Sequence, residues 1–113
     1  MVADVDPKGG EETTQAIQAK DGTARFVRAD ISREDDARGI SESAVGAFGR
    51  LDILVNNAAT FVLKGFAATV EDWRQSLGTN VVGTAMVTKY AVEHMKKSGG
   101  AIVNLGSISG FIA

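Results

Sequence analysis

The chain has 113 residues, 44% of them hydrophobic and 23% charged, which fits one soluble globular unit and leaves no room for a second domain. Its net charge of -2, without a basic stripe, argues against nucleic acid or an anionic membrane as a partner, and no apolar run approaches the roughly 20 residues that cross a bilayer. With no cysteine, one histidine and no secretory signal at its start, the sequence argues against disulfides, thiolate chemistry and a metal site, and we expect a cytoplasmic protein.

The first predicted strand is the short apolar run that precedes Pro7, the only proline of the chain. A polar, exposed helix is predicted from about Gly10 to Lys20. Gly22 follows it and suits the left-handed residue that often ends a helix.

The second predicted strand is "ARFVRAD", from Ala24 to Asp30. A helix is predicted to follow from Ser32, because Ser32 and Asp35 have the spacing of a capping box. Apolar residues then recur at helical spacing, at Ala37, Ile40, Ala44, Val45 and Phe48.

The third predicted strand is "LDILVNN", from Leu51 to Asn57. A second capping signal, Thr69 with Asp72, is predicted to start a long helix that continues through "VEDWRQSLGTNVVGTAMVTKYAVEHMKK". Its apolar positions recur at about the helical period, at Val70, Trp73, Leu77, Val81, Ala85 and Val92. A glycine-rich turn and a last strand, Ala101 to Leu105, complete the pattern.

Strands and helices therefore alternate with short connections, which predicts an α/β fold with a parallel sheet covered by helices on both faces. Ligands of such sheets bind outside the carboxyl ends of the strands. All four predicted strands end on polar residues, namely Asp4 and Asp6, Asp30, Asn56 and Asn57, and Ser107. Ala58 and Ala59 follow the third strand and leave space for a flat ligand to pass close to the backbone.

Three motifs, "DILVNNAA", "TNVVGT" and "AIVNLGSISG", occur in this order and at these separations. Together they resemble the short-chain dehydrogenase/reductase family in its Rossmann-type form. The resemblance covers residues 1–113 as a partial NAD-binding domain, from the second to the fifth strand of that doubly wound fold. Where the family usually has Asn-Asn-Ala-Gly, this chain has Asn56-Asn57-Ala58-Ala59, a small-for-small change that we expect the site to tolerate.

The resemblance implies a cofactor site at the strand ends. Asp4 matches the acidic residue that binds the adenosine ribose, and its charge favours NAD over NADP because it would repel a 2′-phosphate. Asp30 and Ile31 match the position that meets the adenine ring. Asn57, Ala58 and Ala59 match the backbone that runs beside the cofactor. For Asp4 the alternative is a solvated turn residue, and Asp30 can also assist the start of the next helix.

The resemblance also implies two catalytic residues. Asn80 matches the family asparagine that disturbs its helix and holds a water of the proton relay, although an exposed helical asparagine is the alternative. Ser107 matches the serine that hydrogen-bonds the substrate oxygen, with Ser109 as a nearby competitor. The implied reaction is hydride transfer between a nicotinamide cofactor and a small alcohol or ketone, with an apolar near wall formed by Phe61, Val62 and Phe66.

Two family motifs are absent, the glycine-rich phosphate loop and the Tyr-x-x-x-Lys pair; the only tyrosine, Tyr90, is followed four residues later by His94. We therefore expect the chain to be the middle of a longer enzyme that forms homo-oligomers through the long helix. Because the missing first strand separates the second from the fourth in the family, we expect two unconnected half-sheets. The alternatives are a catalytically inactive fragment that acts only by association, and an unrelated Rossmann-like protein such as a methyltransferase.

Overall fold

A computed structural model gives the structure of residues 1–108. The strands are β1 (Val2–Asp4), β2 (Phe26–Arg28), β3 (Ile53–Asn56) and β4 (Ala101–Asn104). The helices are α1 (Pro7–Gln18), α2 (Glu34–Phe48), α3 (Val70–Leu77) and α4 (Thr84–Met95), with a 3₁₀ turn at Gly65–Ala67 and a π turn at Gly78–Gly83. The predicted α/β class and the order of the elements are confirmed.

The strands form two separate parallel pairs. β1 pairs with β2, with Val2 opposite Phe26, and β3 pairs with β4, with Ile53 opposite Ala101. Within residues 1–108 no strand joins the two pairs. The expectation of two half-sheets is confirmed, and in each half-sheet both strands have one unpaired edge.

The core lies where α4 packs on α2 and on β3. Its buried residues are Ala37, Leu54, Val87, Ala91 and Met95. The spacing of four between the three α4 residues places them on one helix face. The small side chains of Ala37 and Ala91, which are 0% and 1% exposed, let the two helices approach closely.

The apolar stripe recognised in the sequence of the long helix lies on the surface. Val70, Trp73 and Val81 are 67%, 59% and 58% exposed, and Leu77 is 49% exposed. The uncovered apolar residues therefore lie on α3 and the π turn, whereas the core residues of the long helix lie on α4. In the described part of the chain, no helix is both long and apolar enough to cross a membrane.

Two predicted helix starts are wrong. α1 begins at Pro7, because the Asp6 side chain accepts hydrogen bonds from the backbone N–H groups of Lys8 and Gly9 and because proline is tolerated at the first helical position. α2 begins at Glu34 and has no side-chain cap.

Ser32 does not cap α2, because it belongs to a turn before the helix. Its hydroxyl and its backbone N–H both donate to Asp30 Oδ1, at 2.7 and 3.0 Å. The prediction for Gly22 is also wrong, since the left-handed residue is Asp21, with φ of 59°. Gly22 is instead required for close approach: a Cβ there would lie 2.6 Å from Ile17 Cγ2.

The second capping box is confirmed, because the Thr69 side chain accepts from the Asp72 N–H while the Asp72 carboxylate accepts from the Thr69 N–H. The long helix that follows is confirmed as well, with the π turn inserted between α3 and α4. A π turn adds one residue to a helical turn and often marks a functional position. Here it contains Asn80.

Gly83, the last residue of the π turn, is buried against Ile31. A Cβ on Gly83 would lie 2.7 Å from the Ile31 carbonyl oxygen, a backbone atom that cannot move aside alone. We expect Gly83→Ala to destabilise the full-length protein encoded by the gene by about 1–3 kcal/mol through overpacking. Gly46→Ala, in α2 with nothing within 4 Å of its Cβ position, is the matched control and should be neutral or slightly stabilising. Urea unfolding measures both, and equal stability of the two variants would contradict this contact.

Candidate functional site

Asp4 ends β1 and faces solvent. Its Oδ1 accepts a hydrogen bond from the Asp6 N–H at 2.9 Å, which holds the carboxylate over the turn that leads into α1. The second carboxylate oxygen has no hydrogen-bond donor among residues 1–108. Asp4 therefore combines the proposed turn role with an oxygen that is available to a ligand.

Asp30 and Ile31 form the turn after β2. Asp30 Oδ1 is occupied by the two groups of Ser32, and the Asp30 N–H donates to Asp36 Oδ2 at 3.0 Å. Ile31 is partly buried against the core, and its carbonyl and Cγ1 lie over Gly83. The turn is thus fixed from both sides, by α2 and by the π turn.

A polar cleft of about 430 Å³ opens beside these strand ends. It is lined by Val5, Arg28, Asp30, Arg33 and Asp36. Arg28 Nε donates to the Val5 carbonyl at 3.4 Å, and Arg33 faces Asp36 at 3.9 Å. The cleft therefore presents both carboxylates and guanidinium groups to a ligand.

Asn57, Ala58 and Ala59 follow β3 and are exposed. They form the middle of a short segment between Asn56, the last residue of the strand, and Thr60. The small alanine side chains leave the backbone of this segment open to solvent. Its position, at the carboxyl end of a parallel strand, is the one predicted for cofactor contact.

Asn80 lies in the π turn and holds the end of that segment. Its Oδ1 accepts from the Thr60 N–H at 2.8 Å, and its Nδ2 donates to the Thr60 carbonyl at 2.8 Å. Nδ2 also lies 3.4 Å from Ser76 Oγ. The asparagine is partly buried and fully engaged, so the alternative of an exposed helical asparagine does not hold.

Asn56 is a residue whose contribution the sequence did not reveal. Its Nδ2 donates to Thr88 Oγ1 on α4 at 2.9 Å and to Asn104 Oδ1 on β4 at 2.7 Å. In the sequence, a double asparagine after a strand indicates only a turn. The hydrogen-bond partners Thr88 and Asn104 are 32 and 48 residues away from Asn56, so no local pattern points to them. The structure alone reveals this link between strand ends and helix.

Ser107 follows β4 by three residues and is exposed. Because Asn104 lies opposite Asn56 in the parallel register, Ser107 and Asn57 leave the sheet at the same end. Its competitor Ser109 lies outside the described residues. The structure thus brings Asn57, Asn80 and Ser107 to one end of the β3–β4 pair, and Asp4 and Asp30 to the same end of the β1–β2 pair.

An apolar cavity of about 330 Å³ adjoins the Asn80 side. Its lining comprises Val62, Gly65, Phe66, Ala68, Asp72, Trp73 and Ser76. The one carboxylate there, Asp72, is held by Lys64 at 2.8 Å, and this hydrogen bond, with those from Thr69, lowers the pKa of Asp72 to about 2. The charge of Asp72 is therefore engaged by the protein, and apart from Ser76 the remaining lining residues are apolar.

Tyr90 and His94 lie away from these strand ends. The Tyr90 hydroxyl donates to Glu34 Oε1 at 2.5 Å, and this bond, reinforced by Lys89, lowers the pKa of Glu34. The cluster links α4 to the start of α2. His94 is exposed, so neither side chain joins the candidate site.

Comparison with known proteins places the whole sequence in one family. The model of the short chain dehydrogenase family matches residues 1–113. An uncharacterized oxidoreductase of Thermotoga maritima is 41% identical over 113 residues, which cover 98% of this chain and 44% of the relative. Glucose 1-dehydrogenase 2 of Bacillus subtilis is 34% identical over 107 residues, covering 91% of this chain and 42% of the relative.

Solved structures agree with this family assignment. A structure described as a short-chain dehydrogenase/reductase from Burkholderia xenovorans is 28% identical to this chain. It superposes with a TM-score of 0.88 and covers 98% of this chain and 45% of its own. One from Sinorhizobium meliloti is also 28% identical and has a TM-score of 0.90 over the same 98% and 45%. The chain thus spans less than half the length of the relatives it matches.

Proposed function

Since the chain belongs to the short-chain dehydrogenase family, we propose that it is the segment of an oxidoreductase that binds a nicotinamide cofactor and orients a small alcohol or ketone for hydride transfer. The cofactor, when bound, supplies or accepts the hydride. The residues of the protein bind the cofactor, orient the substrate and donate protons. The observation that carries the proposal is the paired hydrogen bonding of Asn80 to Thr60, which fixes the segment after β3 beside the strand that leads to Ser107.

The low helix propensity of asparagine at position 80 supports this assignment. Asparagine is unfavourable inside helices, and a π turn disrupts the regular backbone hydrogen bonds. Here the amide uses both its donor and its acceptor to hold a loop, so the disturbance has a structural purpose at this sheet end. We assign Asn80 the role of fixing the part of the site where the water of the proton relay binds. We assign Ser107 the role of donating a hydrogen bond to the reacting oxygen.

The residues at β1 and β2 fit the adenosine part of a nicotinamide dinucleotide. Asp4 offers a carboxylate oxygen, which can accept from ribose hydroxyls. The neighbouring cleft of about 430 Å³ lies within the usual range for ligand sites, and Asp30 contributes to its lining. The exposed residues Asn57 to Ala59, of which the two alanines are small, fit a backbone contact with the nicotinamide end of the cofactor.

The cofactor preference depends on two opposing charges. Asp4 disfavours a 2′-phosphate, whereas Arg28 in the adjoining cleft would attract one. We propose NAD, because Asp4 ends the strand where the ribose is expected and Arg28 is turned toward the Val5 carbonyl. NADP is the alternative that Arg28 favours.

Replacing Asp4 by alanine should raise the KM for NAD far more than the KM for NADP, because only the unphosphorylated ribose uses the carboxylate. The measurement is steady-state kinetics of the full-length protein with each cofactor. Arg28→Gln is the matched control, and it should leave the KM for NAD unchanged. Equal effects of Asp4→Ala on the KM for both cofactors would contradict NAD preference. So would a full-length protein that shows no turnover with NAD and whose turnover with NADP is lost in Arg28→Gln.

The substrate end is apolar. The cavity beside Ser76 and Asn80 is walled by Val62, Phe66 and Trp73. We propose an alcohol or ketone whose carbon skeleton contacts this wall while its oxygen meets Ser107.

Association is a second candidate function, favoured by the exposed stripe of the long helix, Val70, Trp73, Leu77 and Val81. Apolar surface of this kind marks a protein interface. We propose that it forms a homo-oligomer contact in the full-length protein, and that this protein is cytoplasmic. A protein that associates through this stripe but neither binds NAD nor oxidises alcohols would support the inactive alternative.

A further inference from the structure

The segment from Phe61 to Ala68, which we call the wall segment, forms one side of the apolar cavity. Four of its residues line the cavity, namely Val62, Gly65, Phe66 and Ala68. The opposite side belongs to α3, through Asp72, Trp73 and Ser76. The width of the cavity therefore depends on how the wall segment is held against α3.

The apolar side chains of the wall segment bury little surface within residues 1–108. Leu63 is 91% exposed, and Phe61 and Phe66 are exposed as well. The 3₁₀ turn in the segment is held by backbone hydrogen bonds that stay within the segment, at 3.0 and 3.2 Å. Burial of apolar surface therefore contributes little to holding the wall segment against α3.

Lys64 carries the only polar side chain of the wall segment. Its Nζ donates to both carboxylate oxygens of Asp72, at 2.8 and 3.0 Å. The Asp72 side chain is 13% exposed, and it also accepts from the backbone N–H and the hydroxyl of Thr69, at 2.9 and 2.8 Å. The carboxylate is thus fixed to the start of α3, and Lys64 ties the wall segment to it.

The cavity extends from this ion pair toward the candidate catalytic residues. Ser76 lines the cavity, and its Oγ lies 3.4 Å from Nδ2 of Asn80. Asp72 and Ser76 are four residues apart in α3, so they lie on one helix face, one turn apart. A substrate whose oxygen lies at the inner end of the cavity would therefore extend its carbon skeleton toward the ion pair.

We propose that Lys64 and Asp72 are specificity-determining residues, whose ion pair holds the wall segment against α3 and limits the size of the carbon skeleton that the cavity admits. This inference rests on the proposed function, because it assigns the cavity to an alcohol or ketone. Neither residue touches the reacting atoms in this role.

The expected effects are modest for a physical reason. The change in selectivity cannot exceed the stabilisation that the ion pair gives to the closed position of the wall segment. The Lys64 side chain is largely exposed, and ion pairs with an exposed partner stabilise weakly. We therefore expect changes of about three- to five-fold.

Four variants of the full-length protein separate the ion pair from other effects. Lys64→Met removes the charge and keeps the apolar stem, whereas Lys64→Arg keeps the charge and should restore the contact. Asp72→Asn removes the partner's charge and keeps an oxygen that can accept from Thr69. Lys96→Met is the matched control, because it breaks an exposed ion pair with Glu93 outside the cavity lining.

The first readout is amide hydrogen exchange, which requires no substrate. The N–H groups of Ala67 and Ala68 report the 3₁₀ turn of the wall segment. We expect exchange about three- to five-fold faster at both in Lys64→Met and in Asp72→Asn, because the turn loses its attachment to α3. The double variant should exchange no faster than either single variant, since both remove one contact. Lys64→Arg and Lys96→Met should exchange at the unaltered rate.

The second readout is the binding of two cyclic ketones of different size, cyclohexanone and cyclodecanone, measured by calorimetry with NAD present. The oxidised cofactor has no hydride to give, so the ketones bind without reacting. We expect the ratio of the Kd for cyclodecanone to the Kd for cyclohexanone to fall about three- to five-fold in Lys64→Met. Lys64→Arg and Lys96→Met should keep the ratio of the unaltered protein. With NADH, the ratio of kcat/KM for the two ketones should shift toward cyclodecanone in the same variants.

An unchanged Kd ratio in Lys64→Met would overturn the proposal, and so would an equal change in Lys96→Met. Binding of neither ketone would also overturn it. A changed Kd ratio in a protein that reduces neither ketone with NADH or NADPH would instead contradict the proposed function while supporting the ion pair's control of the cavity. Ketone reduction with an unchanged ratio would do the reverse, so the two failures are distinguishable.

Discussion

Replacing Ser107 by alanine is expected to lower the turnover of the full-length protein about 100-fold or more, the usual effect of losing one hydrogen-bond donor to a developing oxyanion. Ser107 lies beyond the end of β4, at the sheet end where Asn57 and Asn80 also lie. In the proposed assignment the serine donates to the substrate oxygen and not to the cofactor, so NAD affinity should be nearly unchanged. Steady-state turnover and calorimetric titration with NAD measure the two quantities.

Ser109→Ala is the matched control in the same "GSISG" motif. It should leave turnover close to that of the unaltered protein. The opposite order, with a mild effect at Ser107 and a large one at Ser109, would move the donor to Ser109. A fall in NAD affinity equal to the fall in turnover would make Ser107 a cofactor ligand instead.

The 113-residue chain produced alone is expected to melt without a sharp transition, to associate and to have no dehydrogenase activity. Its four strands form two separate pairs within residues 1–108, and two-stranded sheets are marginal by themselves. Ile53 and Val55 of β3 are 63% and 54% exposed beside an unpaired strand edge, which favours association. The sequence also has no Tyr-x-x-x-Lys pair to act as proton donor, help that is commonly worth about 100- to 10,000-fold in rate.

Thermal melting, light scattering and NAD calorimetry of the chain test this expectation. Val55→Lys is a useful variant, because a charge on an edge strand reduces association without supplying the missing pairing. It should give less association and an equally broad melting transition. A monomer that melts cooperatively and binds NAD with micromolar affinity would contradict the importance of the unpaired edges.

Local patterns in the sequence predicted the order of the elements because strands and helices here differ clearly in period. The Thr69 and Asp72 box was predictable since both partners lie within one helical turn. The same spacing at Ser32 and Asp35 was misleading. There, Asp30 two residues earlier accepts from Ser32 and converts the start into a turn.

Contacts between distant residues could not be predicted from local patterns. The exposed stripe of the long helix carries its largest apolar side chains, whereas its core face includes Ala91, which is small and inconspicuous. Asn56 was hidden for the same reason, because its partners Thr88 and Asn104 are brought to it only by the fold. The positions of the candidate residues at the strand ends were predictable, because the carboxyl ends of paired parallel strands lie at the same end of their sheet.

A crystal structure of the full-length protein with bound NAD tests the central claim most directly. The account predicts the adenosine ribose on the Asp4 carboxylate, adenine beside Asp30 and Ile31, and the nicotinamide end between the segment Asn57 to Ala59 and Ser107. A cofactor bound elsewhere, or bound with Asp4 and Ser107 both out of contact, would contradict the assignment of this chain as the cofactor-binding and substrate-orienting segment of a dehydrogenase.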